Sequence, residues 1–195
     1  MKLVTSEELK NAICNNDLNF LKNNIERFNI NHRFEDEDND TLLSYAISDF
    51  NSDVYSFFLN NDADINLVND ENENIVHSAI YSGDLNRIKN VVNNNNINAR
   101  TIEGSTPLLL SLSLENEEIS NYLIDIGASI NIADYENNLP IHVASFFGLK
   151  NIVLKLIGKG ANLSEKTDKG NLPLAIAVNE GHTEVAKVLY LQMFK

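Results

Sequence analysis

Short apolar clusters return along the chain at a spacing far longer than the period of a helix or a strand. They read TLLSYA (41 to 46), NIVHSA (74 to 79), TPLLLS (106 to 111), LPIHVA (139 to 144) and LPLAIA (172 to 177), in steps of 33, 32, 33 and 33 residues. Each is followed by a second apolar set at i, i+1, i+4 and i+5, such as Ile152, Val153, Leu156 and Ile157, or Ile119, Leu123 and Ile124. That pattern predicts a helix with one broad apolar face. Each repeat therefore contains a short first helix and a second helix, and one such pair cannot bury its apolar face alone. Neighbouring pairs must stack and share a core, in which each buried Leu, Ile or Val contributes about 1.5–3 kcal/mol.

Prolines and glycines keep the same beat. Pro107, Pro140 and Pro173 are 33 residues apart. A proline in the first helical position forfeits no hydrogen bond, and Thr106 before the first of them can cap. Helices are thus predicted to start there. Gly83, Gly148 and Gly181 share one phase, Gly104 and Gly170 a second, Gly127 and Gly160 a third; Gly158 alone falls outside. The first set predicts the end of each first helix, where a left-handed residue stops it. Several units depart from the pattern. Asn74-Ile75 replaces the Thr-Pro pair, Arg87 occupies an apolar second-helix position, and Asn93 to Asn96 replaces the glycine corner, so this unit is expected to be the least stable. Phe50 and Glu115 replace the inter-helix glycine in two others.

The combination resembles the ankyrin repeat family. TPLLLS and LPIHVA are similar to its helix-opening T-P-L-H-x-A, and DADIN (62 to 66), GASIN (127 to 131) and GANLS (160 to 164) to its G-A-D-x-N tail. The resemblance implies an all-α solenoid of about six helix-turn-helix units with short hairpin loops. Residues 36–195 hold five repeats in one continuous array, the last without its own hairpin. Residues 1–35 fit loosely: two short helical patterns and a closing Asn31 read as a divergent N-terminal capping repeat.

Composition narrows the function. The net charge is −13 and the pI near 4.6, which repels nucleic acid and anionic membranes, so neither is expected as a partner. One cysteine, Cys14, leaves no internal disulfide and no cysteine cluster for zinc. The N-terminus lacks an apolar signal segment, and no run approaches the roughly 18 apolar residues of a membrane span, so the chain reads as cytoplasmic. Asparagine is about one residue in six, a residue suited to caps and turns.

Catalytic readings fail on inspection. His77 and His142 occupy the histidine of the T-P-L-H motif, where the resemblance implies a structural ring; His32 and His182 stand apart. A Cys14–His32 pair is the one nucleophile and base that stacked units could bring together. EDEDND (35 to 40) resembles the start of a calcium loop, but counted from Asp36 the sixth position is Thr41 in place of glycine and the twelfth is Ile47 in place of glutamate. No glycine-rich phosphate-binding motif occurs. No catalytic residue, metal or cofactor is expected, and the chain is read as non-enzymatic.

Binding remains. The resemblance implies a concave partner-binding face made of the turn tips and the exposed end of each first helix. By phase the helix positions are Ser48 and Asp49, Tyr81 and Ser82, Ser113 and Leu114, Phe146 and Phe147, Asn179 and Glu180. Adjacent helical residues point about 100° apart, so Phe146 and Phe147 cannot both enter the core that Val143 and Ala144 already serve. They read as interface anchors with Leu114, Tyr81 and Tyr135. The tips contribute acid: Glu37, Asp38 and Asp40, then Asp70, Glu71 and Glu73, then Glu103 and Glu136. A protein partner with a basic flank and an apolar centre would match, charge serving mainly rate and orientation. An inhibitor or regulatory subunit of an enzyme, including a pathogen effector, would use the same surface. The molecule is expected to be a monomer, with Leu191 and Phe194 at the C-terminal end offering a site of self-association.

Overall fold

The computed structural model describes residues 2–48 and 52–194. Asp49 and Phe50, two positions singled out above, lie outside the described residues, as does Lys195. The described chain is helical, with twelve α-helices and a single two-residue strand pair. It divides into two compact units, residues 1–96 and 97–195, each with its own core.

The first unit opens with α1 (Ser6–Cys14) and α2 (Leu18–Asn24), followed by a 3-10 turn, Ile25–Arg27. Thr5 caps α1 with a reciprocal box: its hydroxyl accepts from Glu8 N while the Glu8 carboxylate accepts from Thr5 N at 2.8 Å. A hairpin of β1 (Arg33–Phe34) and β2 (Asp40–Thr41) leads into α3 (Leu42–Ser48) and α4 (Ser52–Asn60). Then come α5 (Ile75–Tyr81) and α6 (Leu85–Val91). First helix packs on first helix, α3 against α5 and α1 against α3, and α2 lies against α4. Leu9, Ile13, Leu21, Phe34, Leu42, Ile47, Phe58, Val76, Ile80 and Ile88 form the core.

The second unit repeats the plan with α7 (Pro107–Ser113), α8 (Glu117–Asp125), α9 (Pro140–Phe146), α10 (Lys150–Gly158), α11 (Pro173–Asn179) and α12 (Thr183–Met193). All three prolines occupy the first helical position, as their phase predicts. Helices α7, α9 and α11 pack in a row, each with its second helix behind it. Leu108, Leu112, Ile119, Leu123, Ile141, Ile152, Val153, Leu156 and Leu189 are buried between them.

Backbone bonds join consecutive hairpin tips. Asp70 N donates to Asp38 O at 2.8 Å in the first unit; Tyr135 N donates to Glu103 O at 3.1 Å and Asp168 N to Glu136 O at 3.0 Å in the second. The tips need a left-handed residue, and asparagine supplies it where glycine is missing: Asn39, Asn72 and Asn137 take φ of 56°, 58° and 61°. Asparagine side chains also stitch the corners, with Asn31, Asn98 and Asn131 Oδ1 accepting from Asp64, Ser129 and Asn162 N. Much of the unusual asparagine content thus sits in connections, where its local hydrogen bonding is useful.

Three departures from the repeat pattern are absorbed rather than left open. Arg87 is buried, 4% exposed, and its Nη1 donates to Ile47 O at 2.6 Å; the guanidinium lies 5.3 Å from the Tyr55 ring centroid. The asparagine corner closes on itself, since Asn96 Nδ2 donates to Val91 O and Asn74 Nδ2 to Asn96 O, both at 2.8 Å. Glu115 takes the left-handed conformation of the missing glycine, φ 53°.

The T-P-L-H histidines are structural in geometry. In α9, His142 Nδ1 accepts from Leu139 N at 3.0 Å and its Nε2 bonds Glu165 O at 3.0 Å, so both nitrogens of the neutral ring are used. Burial of the ring holds its pKa below the usual value, outweighing the Glu165 carbonyl that raises it. A histidine neutral in the fold contributes stability that is complete above its unfolded pKa and is lost as pH falls through the lower folded value. Acidification from pH 7.5 to 5 should therefore lower the urea midpoint of the wild type more than that of His142→Gln, which cannot titrate. Parallel pH dependence in the two proteins would remove His142 from the account.

Candidate functional site

The first-helix row of the second unit carries the aromatic pair. Phe146 ends α9 and Phe147 is its C-cap; the rings meet edge to face, 5.0 Å between centroids at 81°. Phe146 is 48% exposed and Phe147 half-buried, so the two neighbours face different surroundings, as helical geometry requires. Leu114, the C-cap of α7, is 48% exposed, and Tyr135, at the adjoining tip, is 65% exposed. Tyr135 is held by Arg100, whose guanidinium lies 4.7 Å from the ring centroid and donates to Ala133 O at 2.7 Å.

Two adjoining cavities lie beside Phe146. One, of about 280 Å³, is walled by Asp134, Glu136, Phe146, Phe147, Lys169 and Ile176. The other, of about 250 Å³, continues past Phe146 and Ile176 to Asn179 and Glu180. Asp134 is fixed in an Asx turn, Oδ1 accepting from Glu136 N and Asn138 N at 2.9 and 2.8 Å. Glu136 and Glu103 stand exposed at their tips.

His182 was not singled out as a site residue, yet it positions the aromatic pair. Its Nε2 bonds Phe146 O at 2.8 Å, and its ring lies over Gly148, φ 68°, against the space a side chain would need. The sequence did not mark it: the phase that holds the capping Asp84 and Asn116 holds Leu149 and His182 in the next two units, and neither of these caps its helix with its side chain.

In the first unit the acidic tips are less uniform than their sequence. Glu37, Asp38, Asp70 and Glu71 are exposed, while Asp40 and Glu73 are half-buried. Lys10 pairs with Asp36 and Glu37 at 2.8 and 2.9 Å, so part of that charge is met within the unit. Asp40 accepts from Ser44 Oγ and Asn69 Nδ2, and burial raises its pKa in spite of both bonds. Glu73 accepts from the Tyr81 hydroxyl at 2.8 Å, which ties that aromatic to the tip although its ring is 51% exposed.

The candidate nucleophile and base are engaged elsewhere. Cys14 Sγ lies 3.8 Å from the Tyr45 hydroxyl, whose pKa burial pushes up to about 12, and His32 Nε2 bonds Ser6 Oγ at 2.7 Å. Among the described residues no cluster of His, Cys, Asp and Glu could hold a metal ion, and no helix is long and apolar enough to cross a membrane. The C-terminal helix exposes Tyr190, Leu191 and Phe194, with the two aromatic rings 4.8 Å apart.

Comparison with known proteins finds the repeat itself elsewhere. A family model described as ankyrin repeats (3 copies) matches residues 81–167. A putative ankyrin repeat protein of Acanthamoeba polyphaga mimivirus is 33% identical over 145 residues, 73% of this chain and 19% of that protein. The probable 26S proteasome regulatory subunit p28 of Saccharomyces cerevisiae is 30% identical over 162 residues, 80% of this chain and 71% of the subunit. Human palmitoyltransferase ZDHHC13 is 26% identical over 181 residues, 91% of this chain and 29% of the enzyme. The chain thus spans a fifth of the viral relative's length and most of the yeast subunit's.

Proposed function

This chain belongs to the ankyrin repeat family, and we propose that it is a non-enzymatic protein-binding module of the cytoplasm whose partner lies on the concave face. The carrying observation is the exposed aromatic edge of the second unit. Phe146 projects between two cavities, braced by Phe147 and by His182, with Leu114 and Tyr135 exposed in the same unit. An exposed but immobilised aromatic loses little freedom on binding, which suits it to an interface anchor. Within the first unit, Tyr81 is a further anchor, and the acidic tips Asp38, Asp70 and Glu71 steer a partner with a basic flank. Asp40 and Glu73, half-buried, contribute charge at longer range.

Replacing Phe146 and Phe147 with alanine together should leave the helical circular dichroism spectrum in place and weaken partner binding by about 2 kcal/mol or more. Affinity capture from the native cell extract, with wild type and double variant side by side, reads this directly. Proteins lost only with the variant are the partners; an unchanged set of captured proteins refutes the anchors. Phe146→Ala alone guards against a packing effect at the half-buried Phe147.

A second reading is favoured by the yeast relative. That protein is a probable regulatory subunit of the 26S proteasome, and the match covers 71% of its length. Here the chain would regulate an enzyme through the same surface, as a subunit or an inhibitor. The captured partner's activity, measured with and without the chain, separates regulation from simple tethering.

A further inference from the structure

The cavity walled by Phe146 and Phe147 in the second unit has a charge and shape that specify more than an apolar contact. We propose that it is a receptor for one arginine side chain from the partner protein. The proposal rests on the reading of this surface as the binding face and adds the chemistry of what enters it.

Three observations converge. At about 280 Å³ the cavity has room for one long side chain, and it adjoins the second cavity past Phe146. Its walls combine carboxylate and aromatic surface: Asp134 and Glu136 on the tip, Phe146 and Phe147 on the helix end. The carboxylates are available for a cation. Asp134 takes its bonds from Glu136 N and Asn138, which orient it without neutralising it. Among the described residues, the ion pairs of this unit join Lys150 to Glu184 and Lys155 to Asp125, on other faces of the second helices. An incoming guanidinium would lie against a phenyl ring and fork its N–H groups toward the carboxylates, a combination that planar arginine meets better than the compact, strongly hydrated lysine ammonium.

The unit already accommodates such a group one tip away. Arg100 stacks on Tyr135 at 4.7 Å while donating to the carbonyls of Gly104 and Ala133 at 3.2 and 2.7 Å. Lys169 lines the same cavity and opposes a cation, so it limits affinity and selects for a partner whose arginine approaches from the Glu136 side.

The test uses the full chain, uniformly labelled with nitrogen-15, titrated with the blocked peptide Leu-Arg-Leu and its counterparts carrying citrulline or lysine in the centre. Amide shifts are expected at residues 134–147 and 169, with the arginine peptide binding at least about five-fold tighter than either counterpart. Glu136→Lys should weaken that binding about ten-fold and Lys169→Glu should strengthen it several-fold, both effects shrinking in high salt. Both side chains are exposed, and thermal melts of the variants confirm that the fold is kept. Equal binding of the citrulline peptide, shifts confined to another surface, or indifference to Glu136→Lys each overturns the arginine receptor. The two readings fail separately. If captured partners vanish with the double phenylalanine variant but persist with Glu136→Lys, the binding face stands and the arginine pocket does not.

Discussion

Arg87→Ala is expected to destabilise the first unit by about 3–4 kcal/mol, more than an exposed arginine would cost. The reason lies at the end of α3. Ile47 O is one of the last four carbonyls of that helix and has no acceptor role inside it, so it needs a donor from elsewhere. Arg87 Nη1 supplies one at 2.6 Å from the following repeat, and its positive charge sits at the negative end of the helix dipole. A hydrogen bond from a charged donor contributes about 1.5–3 kcal/mol, and a desolvated cation over an aromatic ring about 2 kcal/mol. Tyr55 is itself oriented, its hydroxyl accepting from Asn90 Nδ2 at 3.1 Å. Alanine removes all of this and leaves a cavity. Arg87→Met keeps the volume and should lose only about 1–2 kcal/mol, because the buried charge goes together with its desolvation penalty. Urea denaturation of the three proteins checks the order; an alanine variant within 1 kcal/mol of wild type would show that the arginine only fills space. Native-state hydrogen exchange should also show α6 opening first in the alanine variant.

Gly148→Ala is expected to destabilise the second unit by about 2–3 kcal/mol and to weaken partner binding as well. Two effects add. The position has φ 68°, which an alanine adopts at a cost of about 1 kcal/mol or more. The new methyl group would also collide with the His182 ring. To make room, His182 must release Phe146 O, and with it the support behind the aromatic pair. The two sites should therefore be coupled: in a His182→Ala background the collision disappears, and Gly148→Ala should cost only its backbone strain. Additive losses in that double-mutant cycle would separate the glycine from the histidine and leave strain as the whole effect.

The framework of the molecule is readable in the sequence because it is local. A proline that starts a helix and a glycine that ends one act through their own backbone, so Pro107, Pro140 and Pro173 mark α7, α9 and α11 without knowledge of any neighbour. What escapes the sequence is pairing over distance. Arg87 looks like an error on an apolar face until the Ile47 carbonyl, 40 residues earlier, is seen to face it. Lys10 belongs to the divergent N-terminal segment that the repeat pattern fits least, so its pairing with Asp36 and Glu37 has no counterpart in other units to suggest it. The site shows the same limit. Helical geometry separates Phe146 from Phe147, but which of them stays out depends on how the rings pack against each other.

The bonds between hairpin tips are made by main-chain atoms alone, Asp70 N to Asp38 O, Tyr135 N to Glu103 O and Asp168 N to Glu136 O. Nothing in them depends on which side chain the tip carries, provided one residue can turn left-handed. Architecture and vocabulary are thereby decoupled. Mutation can rewrite what the tips display, residue by residue, while the scaffold that presents them stays as it is, and a lineage built this way can change targets without first having to refold.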